Sequence, residues 1–140
     1  MRKRRARAED ALQRSVASFL DVALPWDACW FAVPNGGGRS KVEAAILRAT
    51  GTKAGAPDLM VFHNCRAYGV EIKAPPKMLK SGRLSRAKPR TSDDQDAMHA
   101  KLHRAGVTVT IARSIDDVAS FLRDHNVPLR AAPIVKGRSQ

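Results

Sequence analysis

Two short runs constrain this chain most: Asp58-Leu59-Met60-Val61-Phe62 and Ala67-Tyr68-Gly69-Val70-Glu71-Ile72-Lys73, on either side of Asn64-Cys65. Short runs rich in β-branched and aromatic residues around an Asn-containing turn predict two antiparallel strands. A turn centred between Asn64 and Cys65 pairs Asp58 with Glu71. Directly opposed residues hold their Cβ atoms about 4.5–5.5 Å apart. Two carboxylates that close repel each other, and become favourable when a divalent cation such as Mg²⁺ sits between them, because hard cations take carboxylate oxygens. Glu71 and Lys73 are two apart in an extended run, so both leave one face of the sheet, while Val70 and Ile72 enter the core from the other.

The flanking segments predict the rest of the domain. Glu9 to Leu24 has helical spacing, with Leu12, Val16, Phe19, Leu20, Ala23 and Leu24 on one face and Pro25 ending it. Cys29 to Val33 reads as a strand closed by Pro34. Ser40 with Glu43 forms a capping box for a helix to about Ala49, and Gly51 supplies its left-handed stop. Ser92 caps a helix from Asp93 to about Ala105, Val107 to Ala112 is a strand, and Ser114 with Asp117 caps a helix to about Asp124. The order helix, strand, helix, strand, strand, helix, strand, helix predicts the α/β class, a mixed sheet covered by helices. Residues 1–8 read as a mobile basic arm, 9–125 as the domain with a basic loop at 75–91, and 126–140 as a tail.

Two further polar residues sit on apolar faces. Glu9 lies on the stripe of Leu12, Val16 and Leu20, either turned inward to a partner or serving the helix dipole. Gln95 shares its face with Met98 and Leu102. Glu43 and Asp117 are explained by capping. His99 and His103 have i, i+4 spacing but lack the Glu of a zinc protease motif. Trp26 and Trp30 read as core or interface residues.

Composition narrows the partner. The 140 residues carry 25 Lys and Arg against 13 Asp and Glu, a formal charge of +12, and 44% are hydrophobic. That is a folded domain with a core, and not comfortably long enough for two. No run of about 18 apolar residues predicts a membrane span. Two cysteines outside any Cys-x-x-Cys pattern argue against a disulfide scaffold or a cysteine zinc site and fit a cytoplasmic location. A charge this large points to a nucleic acid, ahead of an anionic membrane surface or simple solubility. Lys77, Lys80, Arg83, Arg86, Lys88 and Arg90 form a strip of six cations with no acid between them. Asn35, Gly36 to Gly38 and Arg39 can bring backbone N–H groups and a guanidinium to a phosphate, although the Walker A spacing is absent.

Pro57-Asp58 followed by Glu71-Ile72-Lys73 resembles the PD-(D/E)xK nuclease signature. The ordered set of Glu9-x-x-x-Gln13, Val33-Pro34-Asn35-Gly36-Gly37, Gly55-Ala56-Pro57-Asp58, Ser92-x-x-Gln95 and Ala112-Arg113-Ser114 resembles the VRR-NUC family, especially its stand-alone, phage-type members. The resemblance spans roughly Glu9 to Leu122, and the stretch Lys77 to Arg90 is longer than the usual link. It implies a restriction-endonuclease-like core and a Mg²⁺- or Mn²⁺-dependent endonuclease. Asp58 and Glu71 would be metal ligands, joined by Glu9 and the Ile72 carbonyl. Lys73 and Gln95 would complete the catalytic set, and the products would carry a 5′-phosphate and a 3′-hydroxyl. Asn35, Arg39 and the six cations of the strip would bind DNA. Stand-alone members suggest four-way junction resolution, so the expected substrate is branched or structured DNA, and a small core with one active site predicts a homodimer, because cutting two strands symmetrically needs two sites. A sequence-specific restriction-type endonuclease and a nonenzymatic DNA-binding protein are the alternatives.

Overall fold

The structure is a computed structural model that describes residues 2–34 and 40–130. Its elements run α1 (Arg2–Ala23), β1 (Cys29–Ala32), α2 (Lys41–Ala49), β2 (Leu59–His63), β3 (Arg66–Ile72), α3 (Asp93–Arg104), β4 (Thr108–Ala112) and α4 (Ile115–Asp124). The order matches the sequence reading, and the α/β class stands. The four strands form one sheet in chain order, with β1, β2 and β3 antiparallel and β4 parallel to β3. The parallel pair needs a crossover, which the segment after β3 and α3 together supply.

The central hairpin has the predicted register. Leu59 pairs with Val70, Val61 with Tyr68, and His63 with Arg66. Asn64 and Cys65 adopt φ of 49° and 60°, the left-handed pair of a two-residue hairpin turn whose twist suits the strands. The core lies on one sheet face. Val16 and Leu20 of α1 and Val118 and Leu122 of α4 pack against Leu59, Val61, Val70 and Ile72, all buried. Removing this much apolar surface from water is the main force that seats both helices.

Four expectations are corrected or refined. Residues 2–8 are not set apart from the first helix: α1 begins at Arg2, because Arg and Ala both favour helix and nothing in the run breaks one. The domain does not end at residue 125, since Val127 is buried and the Arg130 N–H donates to the Ala23 carbonyl. Of the two tryptophans read as core or interface residues, Trp26 lies outside the core at 88% exposure, whereas Trp30 packs beside it and donates its Nε1 to Asp21. Asp117 does not close a capping box. Ser114 caps α4, and the Asp117 carboxylate accepts instead from the Arg113 N–H.

The basic segment is also more ordered than a loop. Met78 and Leu84 form an antiparallel bridge, the Leu79 N–H donates to Arg83, and the Ser85 N–H donates to Lys77. This small hairpin is here termed the finger.

Candidate active site

The site forms where β2 begins and β3 ends. The backbone pairing of β1 and β2 continues as far as Asp58, whose carbonyl accepts from the Val33 N–H. The Asp58 carboxylate then reaches across the hairpin and accepts from the Ile72 N–H at 2.7 Å. Asp58 is thus fixed by the register read from the sequence, one step beyond the paired ladder. Its approach depends on two glycines. Pro57 lies against Gly69, where a Cβ would come within 2.9 Å of its ring. Gly55, at φ +79°, lies against the first turn of α3, where a Cβ would meet the Asp94 carbonyl at 2.1 Å. Only a residue without a side chain allows that approach at that φ.

Glu71 and Lys73 leave the sheet face opposite the core, both buried. The Lys73 ammonium sits 3.3 Å from Glu71 Oε1 and donates to Gln95 Oε1 at 2.9 Å. Gln95 is held in turn by the Ser92 capping box, in which its Oε1 also accepts from the Ser92 N–H. Its Nε2 donates to Glu71 Oε1. One amide therefore ties α3 to the acid and the base of the strand. Glu9 arrives from α1, and its Oε1 accepts from the Ala74 N–H at 3.2 Å and from Arg5 at 3.3 Å.

The electrostatics are those of crowded, dehydrated acids. Burial, with the Asp58 charge second, raises the Glu71 pKa to about 7, against the pull of Lys73. Burial also raises Asp58, offset in part by the Ile72 N–H and Lys73, with Glu9 adding to the rise. Glu71 Oε2 is buried and accepts no hydrogen bond, and neither does the facing His99 Nε2, 3.9 Å away. Burial lowers the His99 pKa, with Lys73 adding to the effect. Buried polar atoms are rarely left without partners, so this gap calls for a further group. An unbonded carboxylate oxygen beside a second carboxylate fits a hard cation. Among the described residues, no three His, Cys, Asp or Glu side chains form a ready-made ligand group. Asp58 and Glu71 are the pair that fits, with Glu9 near enough to act on both charges.

Of the predicted residues, Asp58, Glu71, Lys73, Gln95 and Glu9 come together, and Ile72 joins through its N–H. Asn35 and Arg39 lie outside the described residues. Lys77, Lys80, Arg83, Arg86, Lys88 and Arg90 are all exposed, and none forms an ion pair among the described residues. Sequence reasoning missed three residues. His99 was legible only as the residue one helical turn beyond Gln95. Arg113 donates to the carbonyls of Ala74 and Ala87, at 2.9 Å each, and so clamps both ends of the finger. Arg48 lines, with Lys53, Asp58, Ser92 and Gln95, an open cleft of about 590 Å³ beside the acids.

No family model and no curated protein matches this chain. Among solved structures, a protein titled "VRR_NUC domain protein" is similar at 20% identity, with a TM-score of 0.53 over 83% of this chain and 85% of that one. At that identity the likeness concerns the fold: a mixed four-stranded sheet flanked by helices, as found in a VRR_NUC domain.

Proposed function

We propose that this chain is a divalent-metal-dependent endonuclease that hydrolyses phosphodiester bonds in branched or structured DNA. The observation that carries the reading is the convergence of Asp58, Glu71, Lys73 and Gln95 from a hairpin and a helix, around a Glu71 oxygen that nothing satisfies. A structural ion pair does not need a second, half-buried acid whose charge raises the pKa of the first.

Asp58 and Glu71 would hold Mg²⁺ or Mn²⁺, with Glu9 and the Ile72 carbonyl contributing. A cation held there supplies Lewis acidity, drawing charge from a phosphate oxygen and making water a better nucleophile at neutral pH. The chain's own part is positional. Gln95 fixes the Lys73 ammonium, which orients the attacking water and meets the negative charge that develops on the phosphate. Asn35, Arg39 and the cations from Lys77 to Arg90 would hold the phosphate backbone. A second copy of the chain, related by a two-fold axis, would bring a second site to the other strand.

The test is cleavage of four-way junction, flap and linear duplex in Mg²⁺, beside Glu71→Ala and Lys73→Met. The reading expects junction or flap to be cut first, and each variant to lose about 10²–10³-fold or more in rate. Equal cutting of all three removes the structure preference, and cutting at one short motif in plain duplex favours a restriction-type enzyme. No cutting by wild type, with DNA binding undiminished in both variants, would leave a DNA-binding protein without this chemistry.

A further inference from the structure

The finger between Lys77 and Ser85 combines two properties that do not usually share an exposed surface. Four of its nine residues are apolar or glycine, and its bridge pairs Met78 directly with Leu84. Cross-strand partners put their side chains on the same face, so the two form one apolar ridge. Met78 is 66% exposed and Leu84 57%, with Leu79 at 47% beside the tip. Nothing among the described residues covers this ridge. The same segment carries the exposed cations Lys77, Lys80, Arg83 and Arg86, with no acid from Lys77 to Arg90.

The finger has a firm mount. It springs from Ala74, the residue after Lys73, and the Ala74 N–H is held by Glu9 of the site. The Arg113 guanidinium joins the carbonyls of Ala74 and Ala87, closing the base of the finger on the end of β4. An apolar ridge on a segment rich in exposed cations, beginning four residues after Lys73, is suited to a ligand that is anionic outside and apolar within. Duplex DNA meets that description where its stacking is interrupted: phosphates for the cations, base faces for the ridge.

We propose that Met78 and Leu84 form a wedge that inserts at an unstacked base step of DNA while the surrounding lysines and arginines hold the flanking phosphates. Apolar side chains in such positions pry base steps apart at an energetic penalty of a few kcal/mol, which is lowest where stacking is already broken. The wedge therefore favours branch points over continuous duplex, and it deepens the endonuclease reading on which it rests. Its reach is limited. Met78 stands five residues beyond Lys73, no more than about 17 Å of extended chain. At 3.4 Å per nucleotide along a strand, the scissile phosphate lies within about five nucleotides of the opened step.

The experiment uses the full chain without divalent ions, so that no strand is cut, on a four-way junction carrying 2-aminopurine beside the branch. Wild type is expected to raise the probe's fluorescence about threefold at saturation, and Met78→Ser/Leu84→Ser to lose more than half of that rise, as expected for removal of an intercalating ridge. The salt dependence of binding stays with the cations and is retained. Both side chains are exposed, so the melting temperature reports whether the variant is folded. An unchanged rise in the folded double variant, or no rise with wild type, overturns the wedge. So does a rise that persists while the substitutions abolish self-association in sedimentation, since the ridge would then bind protein. Cleavage of the same junction in Mg²⁺ is scored separately. A chain that opens the step without cutting retains the wedge and loses the endonuclease, and one that cuts without opening does the reverse.

Discussion

The Glu71 carboxylate is the residue on which the site's chemistry turns. It is buried, touches Lys73 and Gln95 through Oε1, and leaves Oε2 unsatisfied. Its folded pKa of about 7 stands above the ordinary value of 4.5. A carboxyl raised in this way favours the folded state fully below the ordinary value, and that contribution is lost as pH rises through about 7. At about 1.36 kcal/mol per unit, the shift corresponds to about 3 kcal/mol. Urea unfolding in EDTA should therefore show lower stability at pH 8 than at pH 5, and Glu71→Gln should flatten the difference. Mg²⁺ at pH 8 should restore stability to wild type, by binding only the folded state, and should restore little to Glu71→Gln. Asp58→Asn should weaken the Mg²⁺ effect in the same titration. Glu71 and Lys73 were legible in the sequence because strand alternation alone puts them on one face. His99 was not, because only the docking of α3 brings its ring to Glu71.

At the scale of elements, the site depends on how α3 meets the hairpin. Gly55 lets the segment before Asp58 lie against the first turn of α3, which also carries Ser92 and Gln95. Gly55→Ala would set a Cβ against the Asp94 carbonyl at a positive φ. It should destabilise the fold by at least about 2 kcal/mol, and below its melting point it should cut more slowly than wild type because Gln95 is displaced. Chemical denaturation and rate measurements on the same sample check both. The finger has a similar dependence on one residue. Arg113→Ala removes both clamping hydrogen bonds and leaves the Met78–Leu84 bridge as the main restraint. Trypsin should then cut between Lys77 and Lys88 about tenfold faster while the melting temperature changes little, since local opening governs such cleavage. The sequence announced the cations of this segment but not its hairpin, for one bridge and an arginine twenty-five residues downstream of Lys88 leave no periodic trace.

For the whole molecule, the formal charge of +12 leaves many cations outside the site, where Glu9, Asp58 and Glu71 meet the single buried Lys73. Arg2, Lys3, Arg4, Arg5 and Arg7 extend α1 beyond Glu9, and the finger's cations lie past Lys73. Six phosphate contacts from the strip Lys77 to Arg90 would give a slope of about −5 in a plot of log affinity against log salt concentration, and Lys80→Ala/Arg83→Ala should reduce it by about 2. Fluorescence polarisation on one DNA at several salt concentrations measures this. A slope that both substitutions leave unchanged would place the binding surface elsewhere, α1 and the Arg48–Lys53 cleft being the next candidates. Sequence alone determined what depends on neighbours along the chain: strand and helix periods, three serine caps, the Asn64-Cys65 turn and the register that carries Asp58 to the end of β3. Tertiary structure decided what depends on distant segments packing together. Glu9 meets Ala74, Gln95 meets Glu71, and Arg113 closes the finger only after α1, α3 and β4 have docked on the sheet. Local patterns specify each segment's conformation, but the burial that brings side chains twenty to sixty-five residues apart into contact is a property of the assembled core.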